Sequence, residues 1–235
     1  MAKKEQKILI IKACGNNGEE YEIYSIKTQA MLYGIQCDLI EPKTAEELDM
    51  RLQSGQQYDY IYLSSHGNEQ GLCNDSRTLN MSWNDFAFSL CNSMCMNEDC
   101  ILMLSCCRGG LNQVAYDLFY NCPKIAYVVG PRQSLRSSEM LIAYNIFLYN
   151  VVHRNLDPIV ACEKIKLGTD IRFVCFDKLE VETEVSYMQR VEQHRATEQE
   201  WRESQQELQA SIGTLGPVIP IQPISQEPDI SEVVI

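Results

Sequence analysis

The chain has 235 residues, of which 45% are hydrophobic and 22% charged, as in an ordinary globular protein. Its formal net charge of −12 argues against a nucleic-acid partner, because binding to phosphates needs clustered positive charge. The longest charge-free apolar run, residues 140–152, is too short to span a bilayer, so we expect no membrane partner. Eleven cysteines without disulfide-framework spacing predict free thiols in a reducing, cytoplasmic compartment.

Apolar blocks separated by short polar turns predict strands alternating with helices. In chain order we predict strand 7–15, helix 21–34, strand 37–42, helix 44–55, strand 58–65, helix 82–94, strand 100–106, helix 111–122, strand 124–130, helix 137–152, helix 157–170 and strand 171–176. The strands are apolar at consecutive positions, which is typical of parallel strands buried on both faces. The predicted class is therefore α/β, with a mostly parallel central sheet and helices on both faces.

Capping residues mark several helix boundaries. Thr44 and Ser82 are predicted N-caps, and each is followed three residues later by an acidic residue. Asp157 is a third predicted N-cap, and the proline after it suits the first helical position. Gly34 is predicted to follow the end of its helix in the left-handed conformation.

The composition changes near residue 181, which predicts three regions. Residues 1–180 hold the predicted sheet and helices. Residues 181–212 form a polar stretch with weak helical spacing, predicted to be an exposed helix, and residues 213–235 are a proline-rich, acidic segment predicted to be disordered. Residues 181–235 carry 3 basic and 10 acidic residues, which favours a role in solubility or partner binding over catalysis.

Two predicted strands end in residues that can carry out covalent chemistry. Strand 58–65 is followed by His66, and strand 100–106 leads to Cys107. The 41 residues that separate His66 from Cys107 leave room for one loop, one helix and the return strand, so the two strands are predicted neighbours. Neighbouring strands lie about 4.8 Å apart, and ligands bind at the carboxyl ends of parallel strands. We therefore expect the two side chains to face one cleft.

A cysteine and a histidine at such a cleft suit nucleophilic catalysis. The thiolate is the nucleophile, and an imidazole stabilises it and later protonates a leaving amine. Gly67 permits close approach of a substrate, so that its N–H and that of Cys107 are candidate donors to an oxyanion. Arg108 would place a positive charge beside the thiol.

The paired blocks "SSHGN" (64–68) and "SCCRGG" (105–110) resemble the histidine and cysteine motifs of the caspase-like (clan CD) cysteine peptidases. The following "YVVGPRQSL" (127–135) and the apolar helix after it are similar to bacterial CHAT peptidase domains. The resemblance covers roughly residues 5–178. It implies a caspase-like three-layer sandwich and a cysteine endopeptidase that acts on protein substrates without a cofactor or a catalytic metal.

Carried over by position, Cys107 resembles the nucleophile and His66 the general acid/base, while Gly67 and Cys107 provide the oxyanion N–H groups. Caspases have Gln two residues before the cysteine and metacaspases have Asp, whereas this chain has Ser105, so no P1 preference transfers. Arg132 and Arg136 follow the next strand and are candidates for lining an S1 pocket for an acidic residue. Together with Arg108 and Ser105, they complete the predicted substrate-binding set.

Other interpretations stay open beside the peptidase. Cys106 is expected to be a buried neighbour of the nucleophile. Cys91, Cys95 and Cys100 invite a zinc hypothesis, but their spacing is not that of a zinc ribbon. "GNNG" (15–18) lacks the pattern of a phosphate-binding loop and is interpreted as a strand-to-helix turn, which disfavours a nucleotide binder.

The main alternative is a catalytically silent caspase-like module that binds partners. If the chain is a peptidase, residues 181–235 are expected to dock a regulatory protein or to occlude the cleft. By analogy with CHAT-like peptidases, a role in bacterial defence or cell-death signalling is expected.

Overall fold

The computed structural model describes residues 5–181. Its strands are β1 Lys7–Lys12, β2 Gln36–Ile40, β3 Tyr58–Ser64, β4 His66–Gly67, β5 Gly71–Cys73, β6 Asn80–Ser82, β7 Met96–Ser105, β8 Ile125–Pro131 and β9 Phe173–Asp177. Its helices are α1 Glu19–Leu32, α2 Ala45–Leu52, α3 Trp83–Ser93, α4 Asn112–Asn121, α5 Ser137–Leu148 and α6 Pro158–Thr169, with a π-helical turn at Tyr149–His153. The helix predicted for 181–212 and the tail predicted for 213–235 lie outside these residues, apart from Val181.

The central sheet has six strands in the order β2-β1-β3-β7-β8-β9. All neighbouring pairs are parallel except β8 and β9, which are antiparallel. The predicted α/β class with a mostly parallel sheet is confirmed. Strands β3 and β7 pair directly, as their separation in the sequence predicted.

Both faces of the sheet are buried, because alternate residues of each inner strand enter different cores. In β1, Ile8 and Ile10 pack into a cluster with residues of α1, α5 and α6. Leu9 and Ile11 point the opposite way, into a cluster with residues of α2, α3 and α4. This period of two explains why the strands are apolar at consecutive positions, and it gives three layers with the sheet in the middle.

The predicted caps are confirmed at three helices. Thr44 accepts from the Glu47 N–H at 3.2 Å, and Ser82 accepts from the Asp85 N–H at 3.1 Å. Asp157 caps α6 by accepting from the Ile159 N–H at 2.8 Å. These bonds satisfy N–H groups that have no partner within the first turn.

Strands β4, β5 and β6 form a separate antiparallel sheet that the sequence did not predict. It begins at His66 and occupies most of the connection between β3 and α3. The predicted helix 137–152 ends at Leu148 and continues as the π-helical turn. Within residues 5–181, every helix is too short or too polar to cross a lipid bilayer.

Candidate active site

The ends of β3 and β7 bring the two predicted catalytic residues to one cleft. Ser64 and Ser105 are direct partners in the parallel register, and the Ser65 N–H donates to the Ser105 carbonyl at 3.2 Å. His66 and Cys107 each lie two residues beyond that paired position. Both line a cleft of about 380 Å³, together with residues from the end of β1 and the start of α5.

The turn after Cys107 is tight, and its sequence explains how it closes. Arg108 has a φ of 60°, a left-handed conformation that is uncommon for residues other than glycine. A Cβ on Gly110 would lie 2.3 Å from the carbonyl oxygen of Gly130 in β8, so a side chain there is excluded. The glycine therefore lets the backbone of the turn pass directly over the end of β8.

Cys106 is a core residue, as predicted. It is 1% exposed, and burial raises the pKa of its thiol well above the ordinary value, which makes it a poor nucleophile. Cys107 is partly exposed. A Cβ on Gly67 would lie 2.9 Å from both Cβ and Sγ of Cys106, so the glycine is needed for the β3 and β7 ends to approach.

His66 has two side-chain partners that the sequence did not predict. Its Nε2 pairs with a carboxylate oxygen of Asp75 and lies 3.6 Å from Sγ of Cys14. The Asp75 N–H in turn donates to the carbonyl of Cys14 at 2.8 Å, which ties the β5–β6 loop to the end of β1. Cys14 is 4% exposed, and burial raises its pKa to about 12, so its thiol stays protonated. Asp75 is therefore the group that orients the imidazole in this conformation.

Cys107 makes a different contact. Its Sγ lies 3.8 Å from the carbonyl oxygen of Leu135, in the loop before α5. Within residues 5–181 no hydrogen bond joins Cys107 to His66. Catalytic hydrogen bonds are often long or misaligned before a substrate binds, so this geometry is compatible with a dyad that tightens on substrate.

The predicted substrate-binding residues separate into two groups. Ser105 and Arg136 line the cleft that holds Cys107. Arg108 instead lies 3.5 Å from Glu69, outside that lining. Arg132 donates to Asn112 at 2.7 Å and lies over the Phe176 ring, also outside it. Of the arginines proposed for an acidic P1 residue, Arg136 alone lies at the cleft, and its side chain is on the exposed rim.

A buried carboxylate that the sequence did not predict also lines this cleft. Glu22, in the first turn of α1, is 3% exposed. The hydroxyl groups of Tyr62, at 2.6 Å, and of Ser105 donate to its Oε1. Burial raises its pKa to about 7, and the two hydroxyl donors oppose that rise. The sequence did contain one indication of such a group. Tyr62 lies in a strand predicted to be buried on both faces, and a buried tyrosine hydroxyl needs a hydrogen-bond partner.

The "GNNG" turn does not offer its amide groups to a phosphate. Glu19 accepts hydrogen bonds from the N–H groups of Cys14 and Gly15 at 2.8 and 2.7 Å. Asn16 accepts from the Gly18 and Glu19 N–H groups at 2.9 and 3.0 Å. The turn thus satisfies its own donors with side chains, which matches its interpretation as a strand-to-helix turn and weighs against a nucleotide site.

The three cysteines of the zinc hypothesis lie in or against one hydrophobic core. Cys95 and Cys100 are fully buried in the core beside α3, and Cys91 packs against that core. Among residues 5–181, no group of three histidine, cysteine or acidic side chains is arranged to hold a metal ion.

Comparison with known proteins leaves the family open. No protein-family model matches the sequence, and no curated protein matches it significantly. The geometry of this cleft is therefore the main indication of what the chain does.

Proposed function

We propose that this chain is a cysteine endopeptidase with a caspase-like fold. The observation that carries the proposal is that His66 and Cys107 follow neighbouring strands and line one cleft. The three-layer α/β architecture and the partial exposure of Cys107 support it. The burial of Cys106 supports it further, because only one of the two adjacent thiols is accessible to a peptide.

In the proposed mechanism, the thiolate of Cys107 attacks the scissile carbonyl carbon and forms a C–S bond. The N–H groups of Gly67 and Cys107 stabilise the oxyanion that develops on the carbonyl oxygen. The tetrahedral intermediate collapses when the C–N bond breaks, and the imidazolium of His66 gives its proton to the departing amine. The neutral imidazole then takes a proton from water as the water oxygen attacks the thioester carbon. The C–S bond breaks, which restores the thiolate and the imidazolium, and the carboxylic acid product loses its proton to solvent.

Asp75 has a supporting part in this proposal. Its carboxylate pairs with Nε2 of His66, which fixes the ring and leaves Nδ1 for proton transfer. Because Asp75 pairs with His66 and is not among the residues that line the cleft of Cys107, we assign it as a positioning residue.

The second candidate is a catalytically silent module that keeps the fold and binds partners. The absence of a His66–Cys107 hydrogen bond in the described structure favours it. The two candidates differ in one respect that can be measured: a peptidase needs a Cys107 whose reactivity depends on His66, whereas a silent module does not.

Labelling by a thiol-reactive peptide ketone tests this difference. We expect the wild-type protein to react at Cys107, Cys106→Ala to keep that reaction, and Cys107→Ala and His66→Ala to lose it. Intact-protein mass and peptide mapping give the modified residue. Labelling that survives Cys107→Ala and disappears in Cys106→Ala would reverse the assignment. Equal labelling of the wild type and His66→Ala would favour the silent module.

A further inference from the structure

The cleft beside Cys107 contains a carboxylate with one oxygen uncommitted. Glu22 receives the Tyr62 and Ser105 hydroxyl hydrogen bonds on Oε1. Within residues 5–181, its Oε2 accepts no hydrogen bond. One oxygen is therefore fixed by two donors, while the other is left for a ligand in the same cleft. A buried carboxylate without a counter-charge is costly, and a cationic ligand would remove that cost.

We propose that Glu22 makes this cleft an S1 pocket for lysine or arginine, so that the chain cleaves after basic residues. The inference rests on the proposed peptidase function and names its substrate class. Ser105 connects the proposed nucleophile to this carboxylate. It lies two residues before Cys107, and its hydroxyl donates a hydrogen bond to Glu22. A side chain that enters this cleft beside Cys107 therefore shares it with the Glu22 carboxylate. The cleft volume of about 380 Å³ lies within the usual range for ligand pockets.

The charges around the cleft favour a cation over an anion. Its charged or titratable lining residues other than cysteines are Glu22, His66 and Arg136. Arg136 is exposed on the rim, where water and salt screen its charge, whereas Glu22 is 3% exposed. An acidic P1 side chain would share the cleft with a buried carboxylate. The acidic preference considered for Arg132 and Arg136 is therefore replaced by a basic one.

A series of peptide ketones that differ only at P1 tests the proposal. The P1 residues are arginine, its neutral isostere citrulline, lysine, norleucine and aspartate, and the second-order rate of Cys107 labelling is measured. We expect arginine and lysine to react about 10- to 100-fold faster than their neutral counterparts, the range of a charge-assisted hydrogen bond. Parity between arginine and citrulline, or a fastest reaction with aspartate, would overturn the proposal.

Variants of Glu22 then assign the preference to its charge. Glu22→Gln keeps an acceptor oxygen for Tyr62 and Ser105, and we expect it to abolish the preference for arginine over citrulline. Glu22→Asp keeps the charge and should retain part of the preference. Glu20→Gln is the matched control, because Glu20 lies on the same helix, is exposed and pairs with Lys12 outside this cleft. A preference that survives Glu22→Gln in a folded protein would contradict the inference.

A second readout separates failure of this inference from failure of the peptidase proposal. Iodoacetamide alkylates an exposed thiol without catalysis, so its rate at Cys107 reports occupancy of the cleft. We expect Nα-acetylarginine methylamide to protect Cys107 and the citrulline analogue to protect it less, with the difference lost in Glu22→Gln. If no peptide ketone reacts, the peptidase proposal fails. The protection experiment still shows whether the cleft binds a basic side chain. If ketones react but arginine gives no added protection or rate, only the pocket assignment is wrong.

Discussion

The charge on Glu22 should make the fold less stable as the pH rises, and Glu22→Gln should remove that dependence. The pKa of this carboxyl is raised by burial from an ordinary value of 4.5 to about 7 in the folded protein. A group whose folded pKa is raised binds more protons when folded, so stability falls as pH rises between the two values. The free-energy cost of ionising the buried carboxyl is nearly absent below pH 4.5 and nearly complete above pH 7.

The magnitude follows from the size of the pKa shift. A shift of one unit corresponds to about 1.36 kcal/mol, so the full cost is roughly 3 kcal/mol, and roughly 2.5 kcal/mol of it accrues between pH 5 and pH 8. The titratable and charged groups near the carboxyl are Glu19 on the same helix, Tyr62, Cys106 and Tyr144, together with Cys14, His66, Cys107 and Arg136 of the same cleft. They are present in both proteins, so their own effects largely cancel in the difference between wild type and variant.

Urea unfolding of both proteins at pH 5 and pH 8 measures this difference. We measure the free energy of unfolding of Glu22→Gln minus that of the wild type at each pH. We expect this difference to be about 2–3 kcal/mol larger at pH 8 than at pH 5. Any constant change caused by the altered hydrogen bonds is present at both pH values and does not affect the result. A stability difference that is flat from pH 5 to pH 8 would refute the account of Glu22 as a buried, uncompensated acid.

Three further changes test other parts of the site. Gly67→Ala should destabilise the fold by about 1–3 kcal/mol in urea unfolding, because its Cβ would lie 2.9 Å from Cys106; an unchanged midpoint would show that the contact relaxes freely. Asp75→Asn should lower kcat/KM at least about tenfold, as expected for a residue that acts through His66, while uncatalysed alkylation of Cys107 by iodoacetamide stays unchanged; an unchanged kcat/KM would contradict the positioning role. Truncation after Glu182 should change peptidase activity or assembly if residues 183–235 are regulatory, and unchanged rates and an unchanged molecular mass in solution would reject that role.

His66 and Cys107 could be predicted from the sequence, because each follows a strand that is recognisable from its apolar residues. His66 and Cys107 stand at the ends of two long apolar runs, and the length of chain between them permits one crossover. Sheet pairing then brings them together, as the register of Ser64 with Ser105 shows. Gly67 was also predicted to be a site residue, but its close packing against Cys106 joins two strands and is not encoded by local sequence.

The residues that surround this pair were missed because they arrive from other elements. Cys14 follows a strand that was not assigned to the cleft, and Asp75 comes from a loop within a three-stranded sheet whose strands are too short to show alternation. Glu22 shares the first turn of α1 with two other acidic residues, a pattern typical of a solvated helix start. Its burial brings it against Tyr62 of β3 and Ser105 of β7, and no local pattern encodes those contacts.

The most direct test of the central claim is cleavage of a peptide library by the 235-residue chain. The account predicts cleavage by the wild-type protein with lysine or arginine at P1, no cleavage by Cys107→Ala or His66→Ala, and retained cleavage by Cys106→Ala. Product masses identify each cut, and thermal unfolding confirms that all four proteins fold. The account would be contradicted if folded Cys107→Ala cleaved at the wild-type rate. It would also be contradicted if the wild type cleaved no peptide and a peptide ketone failed to label Cys107 under the same conditions.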